Sequence, residues 1–113
     1  MIQRGDIYLV NLNDQVGSEQ GGIRPAVIVQ NEIGNNFSPT TLICPLTTKK
    51  KSLSVTHVDL SKDSDGVAMD STVLCEQIRV IDKSRIVKKL GQIDRDKLND
   101  INKKILVSLG ICN

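Results

Sequence analysis

Apolar residues in this chain alternate with polar ones or gather in short runs, and Gly, Asn, Asp, Ser or Pro, the residues that favour turns, bound each group. The pattern predicts strands over DIYLVNL (6–12), PAVIVQ (25–30), TTLICPLT (40–47), VTHVDL (55–60) and STVLCEQIRV (71–80), with a sixth, short strand over RIVKKLG (85–91). The period then changes. Leu98, Ile101, Ile105, Leu106 and Leu109 recur at three- and four-residue spacing, Asp94 offers an N-cap and Gly110 a C-terminal stop. That spacing predicts one amphipathic helix of about four turns packed on a sheet. Short strands with few long crossovers favour a mainly β fold, a strongly curved antiparallel sheet or small barrel with a C-terminal helix, over a parallel sheet.

Length and composition narrow the function classes. A chain of 113 residues without repeats or linkers reads as a single domain, 1–113, with one modest core. No apolar run approaches the roughly 20 residues that cross a membrane, and the opening MIQRGDIYLV has no long apolar segment of the kind a signal peptide carries. A cytoplasmic protein with no membrane partner is expected. Cys44, Cys75 and Cys112 form no CxxC pair, and with a single His they offer no zinc spacing, so no zinc site is expected. Cys44 and Cys75 lie in apolar runs and read as small core residues. A net charge of +2 is compatible with an anionic partner but far from the balance of a nonspecific nucleic-acid binder. Tyr8 and Phe37 are the only aromatics, which rules out a broad base-stacking platform.

Few residues are left to carry chemistry. His57 is the only imidazole, and a lone His on a strand reads first as structural. Neither GxxxxGK[ST] nor GxGxxG occurs, and GSEQGG leads into a strand rather than a helix N-terminus, so it is not a phosphate loop. The stretch GSEQGGIRPAVIVQN (17–31) passes from a glycine-rich polar loop into a buried strand, with Arg24 and Pro25 at the seam. Two readings stay open: Arg24 caps a solvated edge, or a strand holds its guanidinium rigidly where the planar fork meets a phosphate. PLTTKKK (45–51) is similarly ambiguous, either a phosphate-contacting strand end or a loop tip whose lysines discourage aggregation. Whether Thr47 and Arg24 meet in space separates the alternatives.

MIQRGDIYLVNL, GSEQGGIRPAVIVQN, NNFSPTTLICPLT, THVDL and LCEQIRVIDKSRI together resemble the MazF/PemK (Kid-like) family of toxin endoribonucleases from bacterial toxin-antitoxin systems, over nearly the whole chain. The resemblance implies an SH3-like barrel with an appended C-terminal helix that dimerises. It also implies cleavage of single-stranded RNA, chiefly mRNA, at short sequence motifs without a metal ion, with Arg24 and Thr47 as the catalytic pair. The implied reaction is attack of a ribose 2′-hydroxyl on the adjacent phosphate, leaving 2′,3′-cyclic phosphate and 5′-hydroxyl ends. The nucleophile then belongs to the substrate, which fits a chain with no catalytic His.

Sequence selection is expected from side chains able to read splayed bases. These are Ser18, Glu19 and Gln20 in the loop, Asn31 and Asn36 after the second strand, and Glu76, Gln77 and Arg79 in EQIR; Thr48, which helps Thr47 at the phosphate, and Lys49 are expected to bind the RNA as well. Glu76 and Arg79 suit strand-end hydrogen bonding equally well. The resemblance further implies a MazE-type antitoxin whose acidic, hydrophobic tail neutralises Arg24, Lys49 and Lys50 and displaces the 17–22 loop. Two rivals are a noncatalytic RNA-binding module and a gyrase poison of the CcdB type. The latter depends on a C-terminal tryptophan, and this chain has no Trp.

Overall fold

The computed structural model describes residues 1–49, 55–63 and 65–112. Strands β1 (Asp6–Leu12) and β3 (Thr40–Thr47) occupy the predicted segments, whereas β2 spans Gly22–Ile28 and β4 spans His57–Leu60. Strand β5 covers Ser71–Leu74, β6 Arg79–Asp82 and β7 Ile86–Gln92, so the sheet has seven strands, not six. All pairings are antiparallel, in the order β4-β5-β3-β2-β1-β7, with β6 also on β3. The fold is mainly β with a C-terminal helix. Among the described residues no ladder joins β7 to β4, so the sheet is open where a closed barrel was expected.

The segment 71–80, expected as one strand, is two. Thr47 and Leu46 of β3 pair with Thr72 and Val73, while Ile43 to Thr40 pair with Arg79 to Asp82; a short 3-10 turn, Cys75–Gln77, lies between. Pro45 explains the break. Val29 N donates to Leu42 O, so by strand alternation even-numbered residues of β3 direct their polar groups to β2 and odd-numbered ones to the β5/β6 side. Pro45 therefore presents its missing N–H to that side, and the ladder stops there.

Sequence periodicity also did not reveal helix α1 (Glu32–Phe37). Its EIGNNF sequence is poor in helix formers. It is held by the Asn31 cap and by Asn35, whose buried side chain donates to Gln30 O and accepts from Thr41 Oγ1.

Helix α2 (Arg95–Ser108) follows the sequence signals: Asp94 Oδ1 accepts from Lys97 N at 2.9 Å, and Gly110, just past the end, has φ +73°. Ile101 is fully buried and Leu98 and Ile105 pack beside it, but Leu106 and Leu109 are exposed. The apolar runs of the central strands are explained by burial on both faces of the sheet. Ile7, Val27, Cys44, Leu46 and Val73 lie with Ile101 of α2 in one cluster; Tyr8, Val10, Leu12, Ala26, Ile28 and Ile43 form a second. Cys44 and Cys75 are core residues as expected, and the Cys75 contact together with burial pushes the Cys44 thiol far up.

Candidate functional site

The β2–β3 ladder ends at the pair Ala26 and Pro45, after Ile28 with Ile43 and Val27 with Cys44. Continued by two positions, the same register sets Pro25 opposite Leu46 and Arg24 opposite Thr47. Val29 with Leu42 and Val27 with Cys44 are hydrogen-bonding positions, so Pro25 with Leu46 is the next one. Pro25 has no N–H to give. Arg24 Nη1 supplies the missing donor to Leu46 O at 3.0 Å, and its Nε donates to Gly21 O at 2.6 Å. The arginine is thus locked at the seam because the proline after it leaves a carbonyl that the guanidinium satisfies. Among the described residues Nη2 has no partner, leaving one edge of the fork for an incoming anion.

Thr47 closes β3 beside that edge. Its side chain is nearly buried, and Oγ1 accepts from Lys49 N at 3.2 Å, so the hydroxyl proton remains available to donate. Arg24, Thr47, Thr48 and Lys49, with Pro25, Leu46 and Ser71, line one cleft of about 230 Å³. Arg24 and Thr47 do meet. Lys50 and Lys51 lie outside the described residues. Ser71 is a cleft residue that sequence reading missed, and no local signal marks it.

A second cleft, about 670 Å³, gathers most of the expected base readers: Ser18, Glu19 and Gln20 from the loop face Glu76, Gln77 and Arg79 from the far side of β3. Pro45, neighbour of Leu46, forms part of its wall, so the two clefts flank the same end of β3. The 3-10 turn opposite Pro45 is what sets Glu76 and Gln77 in this position. The loop is not loose. Val16 N donates to Glu19 Oε1 at 2.8 Å, Gln20 N to Gln77 Oε1 at 2.7 Å, and Asp14 accepts from Arg79 and Arg85. The hydrogen bond from Arg79, reinforced by the charges of Arg79 and Arg85, holds the Asp14 carboxyl below its ordinary range.

Two expected readers are elsewhere. Asn31 caps α1, accepting from Gly34 N at 2.8 Å, and Asn36 lies on α1 beside a separate hollow formed with Met1, Ile2 and Lys83. His57, buried on β4, places Nε2 3.2 Å from Glu76 Oε2 and lines neither cleft. Among the described residues no group of three or more His, Cys, Asp or Glu is placed to hold a metal ion. Nor is any helix among them long and apolar enough to cross a membrane.

Comparison with known proteins agrees with this architecture. Residues 3–109 match the family described as the PemK-like, MazF-like toxin of type II toxin-antitoxin systems. The endoribonuclease MazF of Staphylococcus saprophyticus is 44% identical over 112 residues, covering 98% of this chain and 93% of the relative. Crystal structures of MazF from Deinococcus radiodurans, alone and as MazE–MazF, superpose with TM-scores of 0.85 and 0.78 at 29% and 28% identity, over at least 96% of each chain. By family match, by identity along nearly its whole length and by fold, the chain belongs to the PemK-like, MazF-like toxins of type II toxin-antitoxin systems.

Proposed function

We propose that the protein is the toxin of a type II toxin-antitoxin system and acts as a sequence-specific, metal-independent endoribonuclease on single-stranded RNA, chiefly mRNA, in the cytoplasm. The observation that carries this reading is the meeting of Arg24 and Thr47 in one cleft, which combines a guanidinium edge without a partner among the described residues and a hydroxyl proton available to donate. The staphylococcal relative named as an endoribonuclease supports the reaction class. In this reading the ribose 2′-hydroxyl attacks the adjacent phosphorus, the bond to the 5′-oxygen breaks, and the products are a 2′,3′-cyclic phosphate and a 5′-hydroxyl. The 2′-hydroxyl proton leaves to a base and the departing 5′-oxygen takes one up. Arg24 Nη2 stabilises the charge gathering on the pentacoordinate phosphate, where one preorganised donor is worth about 3–4 kcal/mol. Thr47 donates to a phosphate oxygen, and Thr48 and Lys49 hold the strand. A guanidinium, with no lone pair readily available, is poorly suited to proton abstraction.

Bases are read in the neighbouring cleft by Ser18, Glu19, Gln20, Glu76 and Gln77, with Arg79 contacting the RNA at its edge. The chain functions as a single domain whose open sheet corresponds to the curved SH3-like barrel of its family, assembled as a homodimer. A cognate MazE-type antitoxin would lay an acidic, apolar tail over the Arg24 cleft and compete with RNA; the structural similarity to MazE–MazF of Deinococcus supports a partner of that type.

Incubation of the protein with a long RNA in EDTA, beside an oligonucleotide carrying one 2′-deoxyribose at the cut position, tests the reaction. Discrete fragments from the first and none from the second, with binding retained, are expected. Cleavage of the deoxy-substituted strand, or loss of activity on chelation, would refute it.

A further inference from the structure

Two guanidiniums converge on one carboxylate at the rim of the base-reading cleft. Asp14, in the loop between β1 and β2, receives Arg79 through Nη1 at 3.3 Å and Nη2 at 3.1 Å, and Arg85 through Nη2 at 3.0 Å. The arginines belong to the framework: Arg79 opens β6, and Arg85 ends the 3-10 turn after β6 and donates to Asn11 O at 3.2 Å. The carboxylate belongs to the loop.

Both guanidiniums hydrogen-bond Asp14, with Asp82 the further carboxylate that feels the charge of Arg85, and the Asp14 side chain is 43% exposed, so solvent screens the cluster. Exposed pairs of this kind are weak and exchange readily for a competing anion. A phosphodiester presents two non-bridging oxygens to a guanidinium fork much as a carboxylate does. A strand whose bases enter the cleft carries its backbone along the rim, where Asp14 and Arg79 lie and Arg85 joins them through Asp14.

We propose that Arg79 and Arg85 form a backbone-phosphate subsite for the RNA strand, and that in the free protein the Asp14 carboxylate occupies it as an internal stand-in that the phosphate displaces. This rests on the endoribonuclease reading above. Displacement frees the Asp14 end of the loop while the Gln20–Gln77 hydrogen bond keeps the other end on the sheet. Asp14 thereby weakens RNA binding and lessens its salt dependence, because a phosphate replacing a carboxylate releases fewer counterions than one meeting bare arginines.

The test is fluorescence anisotropy of the full-length protein with an RNA oligonucleotide made uncleavable by one 2′-deoxyribose, titrated across salt, beside steady-state cleavage of the all-ribose strand. Asp14→Asn should lower Kd about two- to five-fold, the range of an exposed ion pair. Its dependence of log Kd on log salt should steepen by about 0.7, and the gain should fall in KM rather than kcat. Asp14→Glu, which restores the carboxylate, should bind like the parent. Arg85→Gln should weaken binding and shrink the gain from Asp14→Asn. Unchanged or weaker binding by Asp14→Asn would reduce the cluster to a loop tether and overturn the proposal. So would a gain seen with an acidic peptide but not with RNA, which would assign the arginines to a protein partner. If the parent protein neither binds nor cuts RNA, the functional reading itself fails; if it does both and Asp14→Asn gains nothing, only the phosphate subsite fails.

Discussion

Replacing Arg24 by Lys keeps the charge and removes the fork, which makes it a sharper test of the site than alanine. In the folded protein Arg24 satisfies through Nη1 Leu46 O, the carbonyl that Pro25 leaves without a donor, and lines the cleft, where in the proposed mechanism its Nη2 meets the phosphate. A lysine ends in one ammonium at the tip of a flexible stem and cannot hold both positions with fixed geometry. If it turns to the phosphate, the carbonyl of Leu46, a residue only 2% exposed, loses its donor at a cost of about 1–3 kcal/mol of stability. If it stays with Leu46, the transition state loses a preorganised donor worth about 3–4 kcal/mol, a factor of about 10² to 10³ in rate. Single-turnover cleavage at saturating protein, with urea unfolding of the same sample, reads both terms. The expected result is a trace of activity from a folded protein. Cleavage within about ten-fold of the parent rate, with unchanged stability, would show that the guanidinium is not the phosphate stabiliser.

Thr47→Val removes the hydroxyl while preserving a β-branched side chain at the end of β3; the fold should persist and kcat should fall by about 2–4 kcal/mol of barrier, with KM little changed. A variant that cleaves at the parent rate would remove Thr47 from the site. The ion cluster predicts a pH dependence of known sign. Because Arg79 holds the folded-state pKa of Asp14 below the ordinary 3.8, its stabilisation is complete above that value and disappears as pH falls through the depressed one. Urea midpoints of the parent and Asp14→Asn should differ at neutral pH and converge in acid; a difference that persisted in acid would mean the variant acts through something other than the charge.

Local pattern was enough where local physics decides. β1 and β3 fill the segments in which alternation and apolar runs end at turn residues, and Asp94 and Gly110 bracket α2 through a cap and a left-handed residue that need no distant partner. Helix α1 escaped notice because EIGNNF forms poor helix in isolation. What holds it is a buried Asn35 joined to Gln30 and Thr41, a contact that exists only once β3 is in place. The apparent strand 71–80 broke for the same kind of reason, since the residue that interrupts it, Pro45, is on another strand.

By itself the sequence determined the mainly β class, the C-terminal helix and its caps, the buried role of Cys44 and Cys75, and the family resemblance with Arg24 and Thr47 as its implied pair. Tertiary structure alone decided that these two share a cleft, because antiparallel register couples residues whose numbers share a sum and no window of sequence reveals which strands pair. The division of the expected readers was also decided there: Ser18 to Gln20 and Glu76 to Arg79 share a cleft, while Asn31 is spent on a helix cap. Only tertiary structure could tie Asp14 to Arg79 and Arg85, since the ion pairs span 65 and 71 residues of chain. Periodicity records which face of an element is buried; a site is made of what separate elements bring to one place.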